Sequence, residues 1–416
     1  MRLSALLGSA CDPDPDIVGA TADSRAVRPG FLFAALEGEK SDGASFIPQA
    51  EAAGAAAILV RPGVQTRAPA VYDADPRRRL AAIAAALYPC QPEIVAGVTG
   101  TNGKSSTVRF AAQLWNALGA PAGSIGTIGA EGPNFLRKLT HTTPDPVELH
   151  KTIDAMTAAG ARRLAMEVSS HALDQRRADG VRFRLAGFTN ITQDHLDFHK
   201  TFEAYFDAKK RLFTVRLDRD GVAVVNADGE GAEEVRATAL ARGVRVLTTG
   251  AGGRDLQLLS ATPTADGLDI EVVAEGRAFR VSLPLVGAFQ AENALVAAGL
   301  VVASGERADD VLPLLHGLEG APGRMQRVAD VAGAGVYVDY AHTPDAVATA
   351  LAAIRPHAAG KVVAIIGAGG DRDPGKRPLM GAAAARAADI VIVTDDNPRS
   401  EEPAAIRRAV LAGAPD

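Results

Sequence analysis

The chain has 416 residues, 47% hydrophobic and 22% charged, with 44 Lys and Arg against 49 Asp and Glu for a net charge of −5. That length suggests two or three domains, and the composition is that of a globular protein. Mild overall acidity leaves no general attraction for nucleic acid or an anionic membrane, so any phosphate the chain binds is held by a local site.

Residues 1–88 alternate short apolar runs with turn signals. Phe31-Leu-Phe-Ala-Ala-Leu36 and Ala55-Ala-Ala-Ile-Leu-Val60 read as buried strands, and 48–54 as a helix ending at glycine. The two prolines of Tyr88-Pro-Cys-Gln-Pro92 stop regular structure and mark a linker. A second unit, 89–322, opens on the buried strand Ile94-Val-Ala-Gly-Val98. A glycine-rich turn follows, then a helix over 104–118 with Phe110, Leu114 and Leu118 on one face. Further strands are expected at 163–168, 185–189 and 222–226, with helices between most of them and an apolar helix at 291–303. Such alternation implies an α/β unit built on a parallel sheet. In a third unit, 323–416, three buried strands are expected at 335–339, 362–366 and 390–394. Each runs into a loop rich in Asp, Gly or His, where open α/β sheets bind ligands. Cys11 and Cys90 stand in no metal-ligand spacing, which argues against a disulfide framework and fits a reducing cytoplasm. The apolar stretch after Met1 is too short for a signal segment and runs straight into Asp12-Pro-Asp-Pro15. A cytoplasmic monomer is expected.

The strongest local signal is Val98-Thr-Gly-Thr-Asn-Gly-Lys-Ser-Ser106, placed between strand and helix as a nucleotide phosphate loop must be. Gly100 and Gly103 let the amides of the loop, Thr101 and Asn102 included, turn toward phosphate, and Ser106 lies in the first turn of the helix. Lys104 reaches the terminal phosphates, and the Ser105 hydroxyl suits Mg²⁺. Val98 stands where the longer form of the pattern has glycine, so an ordinary βα turn is the alternative. Glu167, at a strand end, can hold the same Mg²⁺, or be a solvated carboxylate. His195 and His199 in Asp194-His-Leu-Asp-Phe-His199 have metal spacing on a helix, but no His-Glu-x-x-His pattern or nearby cysteine supports zinc. A single His195 ligand to Mg²⁺ fits better. Ala208-Lys-Lys-Arg211 reads by composition as a basic helix face. In the third unit, Arg372 and Arg399 can each grip a carboxylate, and Asp396 and Asn397 an ammonium group, as a zwitterionic amino acid requires. Turn chemistry with surface salt bridges is the bland alternative.

Taken in order, Thr99-Gly-Thr-Asn-Gly-Lys104, Glu167-Val-Ser-Ser-His-Ala-Leu173, Asp194-His-Leu-Asp197, Asn293-Ala, Gly323-Arg324 and Asp339-Tyr-Ala-His-Thr-Pro344 resemble the Mur ligase family over essentially the whole chain. That resemblance implies three domains: a first domain for a UDP-linked substrate, a central phosphate-loop ATPase domain and a Rossmann-like third domain. It implies ATP-dependent amide-bond formation through an acyl phosphate, with Mg²⁺, and closure about a hinge at 320–323. Within the family the likeness is to the branch acting on UDP-N-acetylmuramoyl-L-alanyl-D-glutamate. Asp23-Ser24-Arg25 and Asp42-Gly43 resemble the uridine site, and Thr142, Thr143, Pro144, Ser169, Gln175 and Arg177 the muramoyl-peptide contacts. Lys209, fourteen residues after His195, matches a lysine carbamylated in the family, whose anion would help hold a second Mg²⁺ beside the one assigned to Ser105, Glu167 and His195. Asn293 would meet adenine, and Arg324 and Asp339 the phosphates and ribose. Asp396-Asn397-Pro398-Arg399 resembles the signature selecting meso-diaminopimelate, a buried Arg399 holding the distal carboxylate that lysine lacks. A lysine-adding sister, a folylpolyglutamate synthase-like ligase and an inactive binding protein are the alternatives. The family resemblance also implies a further Gly-His-Glu segment completing the third domain.

Overall fold

The computed structural model describes residues 1–38 and 41–414, the Asp197 side chain excepted. In the first unit, strands Gly19–Thr21, Phe31–Ala34, Ala57–Val60 and Ala70–Tyr72 lie side by side in that order, all parallel. A parallel sheet is covered on both faces, so its strands are apolar throughout rather than alternating. Leu32, Leu59 and Val71 pack on Leu80 and Ile83 of the helix Pro76–Leu87. Phe33, Ile58 and Val60 face the other way, onto Ile47 and Ala50 of the helix Ile47–Ala52. Asp75 caps Pro76–Leu87 by accepting from Arg78 N, and Pro76 in the first turn lacks only an N–H that would have had no helical partner. Val147, from the helix Pro146–Ala158 of the second unit, joins this core and docks the two units together.

The second unit is an eleven-stranded sheet. From Leu256–Pro263 through Arg245–Gly250, Leu217–Asn226, Phe183–Phe188, Ile94–Thr99 and Arg163–Glu167 to Ala122–Gly126, neighbours run parallel. The expected strands are all here. Both margins turn antiparallel, through Leu268–Ala274 and Arg277–Leu283 at one edge and Gly129–Gly132 and Phe135–Arg137 at the other. The βα alternation did not foretell these hairpins, because short connections, not crossovers, join them.

The helices Lys104–Ala117 and Ala288–Ala303 share one face of the sheet, where Phe110, Leu114 and Trp115 meet Leu295 and Val296. Trp115, the single tryptophan, is wholly buried, and its indole N–H donates to Ser304 Oγ at 3.0 Å. Trp115→Ala is expected to cost about 3–5 kcal/mol, because the cavity cannot close between two rigid helices and a sheet. Urea unfolding followed by far-UV circular dichroism measures it.

The third unit departs from expectation. Ala334–Val338 pairs antiparallel with Gln326–Val331, through a turn in which Ala332 and Gly333 both have positive φ. It therefore lies outside the parallel pair Val363–Ile366 and Ile390–Val393. Nor are the three strands buried. Val336 and Val338, Val363 and Ile365, and Ile390 and Ile392 are all exposed, since helices cover one face of the parallel pair. The unit is tied to the second by Arg327 to Asp266 at 2.7 Å and by His357, whose Nδ1 donates to Thr264 O while Nε2 accepts from Gly287 N.

Candidate active site

The phosphate loop forms where the strand Ile94–Thr99 ends and the helix Lys104–Ala117 begins. Glycine is required twice: Gly100 has φ +150° with the Thr189 hydroxyl against the place of a Cβ, and Gly103 has φ +83° with the Asn293 amide there. Thr189 Oγ1 donates to Asn102 O at 2.6 Å, and Asn190 Oδ1 accepts from Asn102 N at 3.0 Å. Neither residue was singled out from the sequence. Their position just past Phe183–Phe188, the neighbouring parallel strand, was the available signal.

Lys104 folds back over the loop, its ammonium donating to Gly100 O at 3.0 Å and Thr101 O at 2.8 Å. Burial lowers its pKa most, Glu167 raises it, Arg324 lowers it and Asp194 raises it. Ser105 donates to Glu167 Oε1 at 2.9 Å, and Thr127 N donates to the same oxygen at 2.8 Å. Glu167 is 1% exposed, yet among the described residues its Oε2 finds only the Thr127 hydroxyl, at 3.4 Å. A buried carboxylate served only by neutral donors, with an alcohol at its side, is a hard-oxygen pair that suits Mg²⁺.

The backbone of Glu167 looks the opposite way. Its carbonyl accepts from Thr143 Oγ1 at 2.9 Å, and Thr143 Oγ1 in turn accepts from Ser169 N. Arg177 donates to Thr143 O at 3.1 Å and with two nitrogens to Gln175 Oε1. Thr142 Oγ1 meets Thr127 Oγ1 at 2.9 Å. Thr127, Thr142, Thr143, Glu167, Ser169, Gln175 and Arg177 therefore form one continuous group with the phosphate-loop serine. Ser24 stands apart in the first unit, donating to Gln49 Oε1 at 3.0 Å.

Lys209 overturns the basic-face reading of 208–211. Only Lys210 behaves that way, pairing with Asp207 and Glu234. Lys209 is 2% exposed, lies over the Tyr205 ring at 4.6 Å and donates to Gly100 O at 2.6 Å. Its pKa falls well below 10.5, through burial first and the Lys104 charge second, with Asp194 opposing. Tyr205, also missed in the sequence, is fully buried, its hydroxyl 2.9 Å from Thr101 Oγ1 and its pKa pushed by burial up to about 12. His195 does not lie on a helix with His199. It precedes the helix Leu196–His199 in a left-handed conformation, so the i, i+4 argument fails. Both rings nevertheless flank His171, at centroid distances of 4.8 and 5.4 Å. The Asp197 side chain of the same motif lies outside the described residues.

Arg324 stacks on Tyr340 at 5.1 Å, and Asp339 accepts from Met325 N and Ala341 N. Both sit where the chain enters the third unit, just after Gln113 grips Glu319 through both backbone groups. The three loops of the third unit meet: Lys376 donates to His342 O, Gly370 N to Asn397 O, and Arg399 to Gly370 O. Asp396, Asn397, Arg399 and Arg372 are exposed on that rim and Pro398 is half-buried. The expected burial of Arg399 is thus not found. The buried arginine is Arg377, held by both Glu401 oxygens at 2.7 and 2.8 Å.

Three family models match in succession: the Mur ligase family catalytic domain at 16–96, the Mur ligase middle domain at 98–301 and the Mur ligase glutamate ligase domain at 323–415. The chain belongs to the Mur ligase family. A relative from Caulobacter vibrioides, named UDP-N-acetylmuramoyl-L-alanyl-D-glutamate--2,6-diaminopimelate ligase, is 51% identical over all of this chain and 87% of its own length. A relative of the same name from Bradyrhizobium diazoefficiens is 47% identical with the same coverage. A solved structure of a ligase of that name superposes with TM-score 0.78 at 32% identity, over all of this Mur ligase and 86% of that chain. Mycobacterium tuberculosis folylpolyglutamate synthase, solved with ADP, shares the fold at TM-score 0.64 and 20% identity, over 81% of this chain and 82% of that one.

Proposed function

We propose that this Mur ligase adds meso-diaminopimelate to UDP-N-acetylmuramoyl-L-alanyl-D-glutamate at the expense of ATP, as a cytoplasmic monomer supplying peptidoglycan precursors. The observation that carries this reading is the double engagement of Glu167. Its side chain meets the phosphate-loop serine, and its backbone meets the Thr143, Ser169 and Arg177 group. A carboxylate held by that group lies beside the terminal phosphate of a nucleotide held by the loop, which is the placement an acyl phosphate needs.

In the first step a D-glutamyl carboxylate oxygen bonds to the γ-phosphorus as the bond to the ADP oxygen breaks. Lys104 and the loop amides offset the charge on the transferring group. In the second step the diaminopimelate amine attacks the acyl carbon, loses a proton, and phosphate departs. Ser105, Glu167, His195 and a carbamylated Lys209 would hold Mg²⁺, which supplies further charge neutralisation when bound. The adenine lies near Asn293, which already covers Gly103, with Arg324 and Asp339 contributing from the domain entrance. Residues 320–323, beyond the Gln113 anchor, form the hinge that brings the third unit over the nucleotide.

Phosphate release in the presence of ATP and the UDP-muramoyl-dipeptide should require an acceptor amine, with diaminopimelate far ahead of L-lysine. Equal rates with lysine would reassign the acceptor, amine-independent hydrolysis would reject ligation, and use of a folate in place of the muramoyl substrate would reassign the donor. Arg399→Ala should raise the KM for diaminopimelate about tenfold or more, since one charge-assisted carboxylate contact is lost, with little change for lysine.

A further inference from the structure

Arg372 and Arg399 stand on two different loops of the third unit. The first loop, 367–375, follows the strand Val363–Ile366, and the second, 394–402, follows its parallel neighbour Ile390–Val393. An acceptor with a carboxylate at each end meets both loops, so their spacing decides whether it fits. That spacing is set beneath the rim. Arg377, 4% exposed at the start of the helix Lys376–Ala387, donates through Nη2 to Glu401 Oε1 at 2.7 Å and through Nη1 to Oε2 at 2.8 Å. Glu401 Oε1 also accepts from Asp371 N at 2.6 Å. Glu401 belongs to the second loop, and Asp371 to the first, next to Arg372. One carboxylate therefore ties the helix and both loops together. The Arg377 guanidinium first and the Asp371 N–H second hold the Glu401 carboxyl down at about 2, so the pair stays charged throughout the neutral range.

The loops meet without slack. A Cβ on Gly370 would lie 1.8 Å from Pro398 O, and Ser400 donates through both N and Oγ to the Asp371 carboxylate. Asp371 and Arg399 hold left-handed φ of +52° and +47°, which side chains other than glycine keep only where surrounding contacts over-determine it. Arg399 commits one nitrogen to Gly370 O at 2.6 Å, and that bond fixes its direction. We propose that Arg377 and Glu401 are positioning residues that set the acceptor specificity of this ligase by fixing the separation of Arg372 and Arg399. This deepens the reading above and rests on it. Arg377 acts from below, its terminal nitrogens engaged by Glu401 and, at 3.4 Å, by Gly369 O. With the pair broken the two loops move independently, and an acceptor held at both ends loses more than one held at a single end.

Amine-dependent phosphate release by the full chain tests it, with meso-diaminopimelate and L-lysine as acceptors, for wild type, Arg377→Met, Glu401→Gln and the double variant. Each variant should lose about tenfold to a hundredfold in kcat/KM for diaminopimelate, mostly through KM, and less than about threefold for lysine. The KM values for ATP and the UDP-muramoyl-dipeptide should stay as in wild type. Glutamine keeps an acceptor for Asp371 N, so its loss reports the broken guanidinium–carboxylate pair. The double variant should lose no more than either single one, because each single change already removes the one interaction. Wild-type selectivity in both single variants overturns the proposal. So do equal losses for the two acceptors, which would make the pair a prop for the whole unit, and so do additive losses in the double variant. A wild-type chain without amine-dependent release overturns the functional reading itself, and the proposal falls with it.

Discussion

Lys209→Met is expected to abolish ligation while leaving the fold as stable as before, or more so. The amine is buried, close enough to Lys104 to feel its charge, and its pKa lies well below 10.5. A neutral amine can attack CO₂, forming an N–C bond and releasing a proton, and the product is an anion where an ammonium would repel both Lys104 and a metal. Methionine has the length but not the nitrogen, so kcat should fall at least ~100-fold. Gly100 O keeps a donor, because Lys104 also reaches it. The sign of the stability change follows from linkage. A lysine whose pKa is depressed on folding binds fewer protons in the native state than in the unfolded one. Native stability therefore rises as pH climbs from the depressed value toward 10.5, and below that window the full burial penalty applies. Methionine removes the penalty, so in CO₂-free buffer the variant should melt above wild type at neutral pH, with the gap closing as pH rises. Wild-type turnover should also depend on added bicarbonate after degassing. Turnover indifferent to bicarbonate, or a fully active methionine variant, would remove Lys209 from the chemistry.

Lys104→Met should weaken ATP binding by about two to three orders of magnitude and eliminate a proton uptake that accompanies it. Without nucleotide, Lys104 donates to two carbonyls of its own loop, and burial depresses its pKa. Phosphate oxygens arriving at the loop restore a strong reason for the amine to be charged. At a pH between the depressed pKa of Lys104 and 10.5, wild-type binding should take up protons, seen as a calorimetric enthalpy that varies with the ionisation enthalpy of the buffer. The methionine variant should show neither the affinity nor that variation. Glu167→Gln separates the two halves of the site. Its backbone contact to Thr143 survives, so the UDP-muramoyl-dipeptide should still bind while the Mg²⁺ dependence of turnover weakens.

What the sequence determined by itself was local. A strand, two glycines, a lysine and a hydroxyl within nine residues pointed to a phosphate loop, since backbone geometry and a helix terminus are enough to build one. Apolar runs likewise announced the central parallel strands, because strands buried on both faces need no partner to be recognised. Lys209 lay at the other limit. Composition around it indicates a solvated face, and only its burial between Tyr205 and the phosphate loop makes its amine chemically unusual. Glu167 meets Ser105 across 62 positions, and Thr101 meets Tyr205 across 104. No periodicity encodes such pairs, since they follow from which strands neighbour one another in the sheet. Arg377 rather than Arg399 is the buried guanidinium for the same reason: burial depends on what packs above a loop, not on the loop's own residues. Only the tertiary structure decided that, among the described residues, Arg77 and Arg177 meet neutral oxygens rather than carboxylates, because charge balance is settled by three-dimensional neighbours that local sequence does not specify.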